Sequence, residues 1–234
     1  MALLREAFPS VRIGYVTKSR YADLVASHPA IDRVHLLKEG SAGAMSSLGR
    51  ELRTSGYTAV VDLHDNFRSR SLAGASRASM RTVYRKRERR DAFRVRVLHR
   101  PFRASKLLVR RYIEALGPLG VSPSCRAPRL YVSESDDAAA GALLHELGLA
   151  EVPFAAVVPG SVWPTKRWPA DRFAELATEI GRKAGLRVVL LGNEGERSLC
   201  EDVARGSEGN AVVAAGLTSL GQTASVISKA RVYV

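Results

Sequence analysis

The chain alternates short apolar runs with amphipathic segments along its whole length, and this alternation limits the folds that are open to it. Residues 57–63 and 154–158 have the length and the β-branched content of buried strands. The segments between such runs show helical periodicity, as in residues 170–184. A strand–helix–strand order predicts an α/β fold in which parallel sheets are flanked by helices.

The individual elements follow from the same pattern. We predict helices over residues 2–8, 21–27, 45–54, 104–116, 135–147, 170–184, 196–205 and 220–229. We predict strands over residues 11–16, 33–37, 57–63, 81–84, 154–158, 187–191, 211–214 and 232–234. Ser135 is the predicted N-cap of its helix, and Ser219 with Gln222 forms a predicted capping box for the last helix.

Residues 117–130 carry three prolines and little apolar periodicity, which is typical of a connection between domains. We therefore predict two domains, residues 1–125 and residues 126–234. The sequence begins on a helix and ends within a strand, so we expect both α/β domains to be incomplete.

The positive charge of the chain is concentrated in one stretch. The sequence has 36 Lys and Arg residues against 23 Asp and Glu residues, a net charge of +13. Between Arg77 and Arg111 there are 14 basic and two acidic residues. A local excess of this kind favours a polyanionic partner. The candidates are nucleic acid, an anionic membrane surface, and a phosphorylated, carboxylated glycolipid.

Several classes of protein are disfavoured by the sequence. No run of eighteen apolar residues occurs, so no membrane span is predicted. Cys125 and Cys200 match no metal or redox spacing, and the five histidines show no metal-ligand spacing. We expect a cytoplasmic protein that needs no metal and no other cofactor.

The strongest local signal for a ligand lies after the strand predicted over residues 154–158. A Pro-Gly pair ending at Gly160 stops this strand, and a helix begins near Pro169. A strand, a glycine turn and a helix start point free backbone N–H groups at an anion. Lys166 adds a positive charge and Ser161 a hydroxyl, which favours a phosphorylated ligand. The alternative is a plain strand-to-helix connection with Trp168 packed in the core.

A second loop joins the same edge of the predicted sheet. Gly192 follows the strand over residues 187–191, and ligands of α/β proteins bind where parallel strands end. Glu196 is a candidate to accept hydrogen bonds from a pair of ribose hydroxyls, and Glu194 is nearly as well placed. Either residue is also typical of an acid at a helix start.

In the first predicted domain, polar residues follow the strand over residues 57–63. His64 or Asp65 is a candidate general base, and Asn66 lies beside them. Arg68 and Arg70 are better interpreted as ligands of acceptor phosphate or carboxylate groups. The basic stretch adds further acceptor candidates: Arg85, Arg87, Arg90, Arg100 and Arg103. The alternative for any one of them is a solvated basic loop.

Four segments together resemble a known family. The segment Pro159–Pro169 resembles the nucleotide-sugar loop of family 9 glycosyltransferases, the ADP-heptose:lipopolysaccharide heptosyltransferases. The Asp-Leu-His-Asp-Asn-Phe-Arg-Ser sequence ending at Ser69 is similar to the family's Asp-Leu-Gln/His-x-Asn-x-Arg-Ser segment. Leu190–Glu196 and Ala215–Leu220 resemble its Gly/Glu turn and its Gly-x-Thr-Ser-Leu segment. The similarity covers essentially the whole chain.

This resemblance implies a GT-B-like architecture, two Rossmann-like parallel-sheet domains that face a cleft, and an inverting single displacement. It places ADP-heptose in the second domain, on Gly160, Ser161, Lys166, Gly192, Glu196 and Thr218. Thr218 would lie near the adenine, although helix capping is an alternative role for it. The acceptor would be the phosphorylated lipid A–Kdo inner core of lipopolysaccharide, on Arg68, Arg70, Arg87, Arg100 and Arg103.

The resemblance also carries expectations about the intact protein. Its catalytic aspartate would precede Met1, and its Asp-Ser/Thr-Gly-x-x-His segment would follow Val234, so we expect this chain by itself to be inactive. We expect a monomer, peripheral on the inner face of the inner membrane, that binds no nucleic acid.

Three other functions fit parts of the pattern. A nucleic-acid-binding protein could use the arginine-rich stretch, although few aromatic residues are interleaved with it. A nicotinamide-dependent enzyme needs a Gly-x-Gly-x-x-Gly after a strand, and neither Gly160 nor Gly192 starts one. A nucleotide-sugar epimerase shares the architecture without needing a basic acceptor face.

Overall fold

The computed structural model describes residues 1–39, 43–84, 95–97, 99, 107–122, 124 and 127–234. They form two compact units. Unit 1 comprises Met1–Ala22 and His28–Arg129, and unit 2 comprises Asp23–Ser27 and Leu130–Val234. The division into domains over residues 1–125 and 126–234 stays a prediction.

Unit 1 is built from parallel strand pairs and helices. Its strands are β1 (Gly14–Lys18), β2 (Arg33–Leu37), β3 (Ala59–Asp62) and β4 (Met80–Val83). Its helices are α1 (Ala2–Ala7), α3 (Ala44–Thr54), α4 (Phe67–Ala75) and α5 (Leu108–Glu114). Among the described residues, β1 pairs with β2 and β3 pairs with β4, and both pairs are parallel.

The core of unit 1 lies between α3 and α4. Leu48 and Leu52 stand four residues apart on α3 and pack against Leu72 of α4. A buried histidine connects helix α3 to strand β2. His35 of β2 bonds Glu51 of α3 through Nδ1 at 2.7 Å and the Tyr57 hydroxyl through Nε2 at 2.8 Å.

Unit 2 contains one parallel sheet. Its strands are β5 (Phe154–Val157), β6 (Arg187–Leu190), β7 (Ala211–Val213) and β8 (Val232–Tyr233). Its helices are α2 (Asp23–Ala26), α6 (Glu134–Glu146), α7 (Ala170–Ala184), α8 (Arg197–Arg205) and α9 (Leu220–Lys229). The strand order is β7-β6-β5-β8, and every pair is parallel.

Helices cover both faces of the sheet in unit 2. Phe154 and Ala156 of β5 pack in a cluster with residues of α6 and α9. Ala155 and Val157 of the same strand pack in a second cluster with residues of α7 and α8. Alternate residues of one strand therefore serve opposite faces, and all four are buried. The predicted α/β fold with parallel sheets is confirmed.

The boundaries of β2, α7 and α9 agree with the prediction residue for residue. The strand predicted over residues 11–16 is displaced to β1, because the pairing begins at Gly14, opposite Arg33 at the start of β2. The Arg5 guanidinium binds the carbonyl of Val11 at 2.6 Å, outside the strand. The helix predicted over residues 21–27 is a 3₁₀ turn, Ser19–Tyr21, followed by the short α2.

The predicted cap of α6 was wrong by two residues. Ser133 is the N-cap, and its hydroxyl oxygen accepts a hydrogen bond from the backbone N–H of Asp136 at 3.0 Å. Ser135 lies inside the first turn. Either serine of the sequence Ser-Glu-Ser fits the residue preference of an N-cap. Ser133 is the cap because its backbone is extended.

No helix in the described part of the chain is long and apolar enough to span a bilayer. The same residues contain no cluster of His, Cys, Asp or Glu side chains that could hold a metal ion.

Candidate functional site

Three loops meet at the carboxyl edge of the sheet in unit 2. Residues 158–169 follow β5, residues 191–196 follow β6, and residues 214–219 follow β7. Because the three strands are parallel neighbours, their ends lie side by side. The predicted residues Gly160, Gly192 and Thr218 are therefore brought to one edge.

Glu196 joins the first two loops. A Cβ on Gly160 would overlap the Glu196 carboxylate, and a Cβ on Gly192 would lie 3.2 Å from Glu196 Oε2. The carboxylate is held in place by Asn193, whose backbone N–H and side-chain amide donate to Oε2 at 3.0 and 2.7 Å. Glycine at position 160 is thus what makes room for Glu196 between the loops.

Glu194, the alternative to Glu196, occupies a different place. Its carboxylate lies against Gly216 in the third loop, where a Cβ would overlap it. Gly216 has a φ of +78°, a conformation that favours glycine. The two glutamates therefore serve neighbouring loops, and Glu196 is the one beside Gly160.

The first loop is closed by its own polar groups. The Ser161 hydroxyl oxygen accepts from the Trp163 N–H at 3.3 Å, which leaves the hydroxyl proton free to donate to a ligand. The Arg167 Nε donates to the Ser161 carbonyl at 2.6 Å. Arg167 was not among the predicted site residues, because its role depends on a contact six residues back along the chain.

Lys166 ends the 3₁₀ turn Pro164–Lys166 and is exposed. No carboxylate of the described residues pairs with it, which leaves its ammonium group available to an anion. The helix α7 that follows has Pro169 at its N-cap and receives no side-chain cap. Its first backbone N–H groups therefore lack side-chain acceptors, and they carry the positive end of the helix dipole.

The two tryptophans of the first loop have different surroundings. Trp168 stacks edge-on against Phe173 of α7, with ring centroids 5.2 Å apart, and so anchors the helix start. Trp168 therefore packs against the helix, as the alternative interpretation expected, but it is not in the core, because half of its surface is exposed. Val162 and Trp163 are 85% and 63% exposed, so the apolar part of the loop faces solvent.

In the third loop, Ser219 caps α9 and Thr218 does not. The Ser219 hydroxyl accepts from the Gln222 N–H at 3.2 Å, and Gln222 Oε1 accepts from the Ser219 N–H at 2.9 Å, so the predicted capping box is confirmed. Thr218 bonds the Thr223 hydroxyl at 2.8 Å. Arg197 reaches this loop as well, and it donates to the Ala215 carbonyl at 3.4 Å.

In unit 1, the turn after β3 is organised by a buried carboxylate. Asp62 Oδ1 accepts from the backbone N–H groups of His64 and Asp65, both at 2.9 Å, and Oδ2 accepts from the Ser69 hydroxyl at 2.9 Å. Burial alone raises the pKa of Asp62, but these hydrogen bonds and the charge of Arg81 together hold its pKa below the ordinary value. The turn therefore contains a buried anion that stays ionised.

The candidate residues of this turn are only partly available. Asp65 has a φ of +47° and pairs with Arg70, whose Nε lies 2.8 Å from Asp65 Oδ1. The Asp65 carboxylate is therefore occupied by an arginine, and Arg70 is correspondingly less free for an acceptor. Asn66 caps α4 through a reciprocal pair of bonds with Ser69.

Arg68 and His64 are exposed, and so is Phe67, whose ring is 87% exposed at the first position of α4. Phe67 was missed by sequence reasoning, because an aromatic residue at a helix start is ordinarily expected to pack inward. The predicted acceptor residues Arg87, Arg100 and Arg103, together with Arg85 and Arg90, lie outside the described residues.

The one described cysteine has no place in this chemistry. Cys200 is fully buried on α8, and burial raises the pKa of its thiol to about 11.

A parallel sheet with glycine turns and an uncapped helix start at one edge is typical of α/β proteins that bind nucleotides. The chain belongs to glycosyltransferase family 9, the heptosyltransferase family, whose sequence model matches residues 45–234. It is therefore a glycosyltransferase by family. The predicted roles of Gly160, Ser161, Lys166, Gly192, Glu196 and Thr218 stay predictions.

Solved structures share the fold of this chain. The crystal structure of the family 9 glycosyl transferase from Veillonella parvula DSM 2008 is 25% identical, with a TM-score of 0.83 over 99% of this chain and 68% of that one. The structure of E. coli ADP-heptose LPS heptosyltransferase II is 21% identical, with a TM-score of 0.72 over 99% and 72%.

A third structure, E. coli heptosyltransferase WaaC with ADP-2-deoxy-2-fluoro heptose, is 18% identical, with a TM-score of 0.70 over 99% of this chain and 75% of that one. The two E. coli structures share the fold of this chain. No curated protein matches the sequence.

Proposed function

We propose that this chain belongs to a heptosyltransferase, and that this enzyme moves a heptose from ADP-heptose to the phosphorylated lipid A–Kdo inner core of lipopolysaccharide. The proposal includes an inverting single displacement, a monomeric enzyme, and a location on the cytoplasmic face of the inner membrane. Unit 2 would bind the donor and unit 1 the acceptor.

The observation that carries the donor assignment is the meeting of Glu196 with Gly160 at the start of the Lys166 loop. One Glu196 oxygen is bound by Asn193, and the other lies against Gly160, where it can accept from a ribose hydroxyl. The diphosphate would then lie over the unpaired N–H groups at the start of α7, next to the ammonium group of Lys166.

These groups suit the charge that develops during the reaction. The acceptor hydroxyl oxygen forms a bond to the anomeric carbon while the bond from that carbon to the phosphate oxygen breaks. A general base takes the hydroxyl proton, and ADP leaves with the electron pair of the broken bond. Lys166 and the α7 dipole stabilise the negative charge that grows on the departing diphosphate, which lowers the barrier.

The charge of the chain supports an anionic acceptor at a membrane. The net charge of +13 is concentrated between Arg77 and Arg111, and anionic lipid surfaces attract basic segments of this kind. In unit 1, Arg68 lies exposed on the first turn of α4, where a phosphorylated saccharide could meet it.

The test is a transfer reaction with ADP-heptose and a lipid A–Kdo acceptor, using the natural protein that contains this chain. We expect acceptor-dependent release of ADP and a heptosylated product of inverted anomeric configuration. Lys166→Ala should lower turnover by 10²-fold or more, whereas Lys183→Ala, at the exposed far end of α7, should not. An altered nucleotide sugar formed without acceptor would identify an epimerase instead, and undiminished turnover of Lys166→Ala would refute the donor assignment.

A further inference from the structure

One carboxylate in unit 2 binds the caps of two helices. Ser133 is the N-cap of α6 and Ser219 is the N-cap of α9, and each hydroxyl oxygen accepts a backbone N–H of its own helix. Both serines donate their hydroxyl protons to Asp136. Ser133 Oγ lies 2.7 Å from Asp136 Oδ2, and Ser219 Oγ lies 3.2 Å from Asp136 Oδ1. The two oxygens of Asp136 therefore connect the start of α6 to the start of α9.

The packing of α9 leaves room for this carboxylate. Gly221 lies in the first turn of α9 and is buried, and a Cβ at this position would overlap the Asp136 side chain. Glycine is unfavourable inside a helix, because it loses more backbone entropy on folding than other residues do. The glycine at position 221 is thus explained by the close approach of Asp136.

Carboxylates that lie against glycines connect the three loops at the sheet edge in series. Glu196 lies against Gly160, which joins the second loop to the first. Glu194 lies against Gly216, which joins the second loop to the third. The contacts of Asp136 continue this series from the end of the third loop to α6.

The third loop depends on support from outside the sheet. It follows β7, which pairs with β6 on one side and has no other described strand beside it. The start of the loop is held by the second loop, since the Gly216 N–H donates to the Gly192 carbonyl at 2.9 Å. Its last residue, Ser219, is held by Asp136. Leu217 lies between these two attachments and is 46% exposed, so a ligand can reach it.

The order of the loops along the edge predicts which part of a nucleotide the third loop meets. Under the proposed function, the diphosphate lies over the first loop and the ribose binds Glu196 in the second. The strands lie in the order β7-β6-β5, so the base extends from the ribose toward the third loop. This step rests on the proposed function, whereas the hydrogen bonds of Asp136 do not.

We propose that Asp136 is a positioning residue for the nucleotide, which acts through Ser219 by holding the third loop in the conformation that binds the base. Without Asp136, the end of this loop loses its attachment to α6. The loop then has to be ordered when the nucleotide binds, and this entropy cost weakens binding. The first loop and Lys166 are unchanged, so the affinities for ADP and AMP fall by the same factor.

Asp137 provides a matched control. It is the next residue in the first turn of α6 and carries the same charge. It also binds α9, because its Oδ1 accepts from the Ser225 hydroxyl at 2.6 Å and from the Lys229 ammonium group. These partners lie in the second half of α9, away from the third loop. If Asp136 served only to hold the two helices together, its loss and the loss of Asp137 would have the same effect on nucleotide binding.

The experiment is a calorimetric titration with ADP and with AMP of the natural protein that contains this chain. We expect Asp136→Ala to lower both affinities about fivefold, with an unchanged preference for ADP over AMP. Gly221→Ala should act in the same way, because it displaces the carboxylate although alanine is the better residue for a helix. Asp137→Ala should leave both affinities as they are in wild type.

A second measurement needs no ligand. Hydrogen–deuterium exchange of the backbone amides of residues 214–222 should be faster in Asp136→Ala and in Gly221→Ala than in wild type, and unchanged in Asp137→Ala. Exchange in this segment that is the same in Asp136→Ala and Asp137→Ala would overturn the proposal.

The failure of this proposal is distinct from that of the proposed function. If ADP binds in a way that depends on Lys166 but equally well to Asp136→Ala and Asp137→Ala, only the positioning role is overturned. If the wild-type protein binds neither ADP nor AMP, the proposed function is overturned, and the exchange measurement still decides whether Asp136 holds the third loop.

Discussion

Gly160 and Glu196 lie so close together that any side chain at position 160 would occupy the space of the Glu196 carboxylate. They come from loops that follow neighbouring parallel strands, β5 and β6, and the contact joins these loops at the carboxyl edge of the sheet. The contact explains why position 160 is a glycine. A substitution to alanine, which adds one methyl group, therefore tests whether Glu196 binds the donor.

Gly160→Ala should displace Glu196 and weaken the binding of ADP-heptose about tenfold or more, measured by calorimetric titration. The matched control is Gly141→Ala on α6, where a Cβ meets no atom within 4 Å. That substitution should leave donor affinity unchanged and stabilise the helix by about 0.5–1 kcal/mol. Equal donor affinity in the two variants would show that Glu196 does not contact the donor.

Arg167 should act on the donor through Ser161. The Arg167→Ala variant loses the bond to the Ser161 carbonyl at 2.6 Å, so the loop that carries Lys166 becomes less ordered. We expect the donor KM to rise about tenfold, with a smaller effect on kcat, because a poorly ordered loop is penalised mainly when the donor binds. Arg182→Ala, near the end of α7, is the control. If the donor KM of Arg167→Ala equals that of Arg182→Ala, Arg167 does not position the loop.

Asp62 should make the stability of unit 1 sensitive to acid. Its pKa in the folded chain lies below the ordinary value, so its contribution is complete above about pH 4, the unfolded value. The contribution is then lost as the pH falls through the folded-state pKa. In urea titrations between pH 2 and pH 7, wild type should lose more stability on acidification than Asp62→Asn, which cannot ionise. Parallel curves for the two proteins would contradict this account.

Phe67 should matter for the acceptor and not for the fold. Its ring is 87% exposed, so Phe67→Ser should change the free energy of unfolding by less than about 0.5 kcal/mol. If the ring packs against the acceptor saccharide, the acceptor KM should rise several-fold while the donor KM stays constant. The control is Leu107→Ser, in the same unit and 75% exposed. An unchanged acceptor KM for Phe67→Ser would remove the ring from the acceptor site.

The sequence carries enough information for most of the fold. Strand β2 and helices α7 and α9 were predicted with their observed boundaries, because apolar periodicity and the capping box at Ser219 are local signals. The start of β1 was not predictable in this way. It depends on the partner strand, since Gly14 pairs with Arg33 at the start of β2, about twenty positions further along the chain.

The candidate site shows the same limit. Gly160 and Lys166 were predicted from one loop, since strand, glycine turn and helix start are contiguous in sequence. The different positions of Glu194 and Glu196 depend on the packing of separate loops, which no local pattern predicts. The ion pairs of Lys18 and Arg20 with Glu39 were likewise not predictable, because they join residues about twenty positions apart and no sequence period connects them.

The most direct test of the account compares ADP with AMP as ligands of the chain, by calorimetric titration of wild type, Lys166→Ala and Lys183→Ala. If Lys166 and the start of α7 bind a diphosphate, wild type and Lys183→Ala should bind ADP at least tenfold more tightly than AMP. Lys166→Ala should lose most of that preference while its affinity for AMP changes little. A Lys166→Ala variant that keeps the full preference for ADP would contradict the central claim.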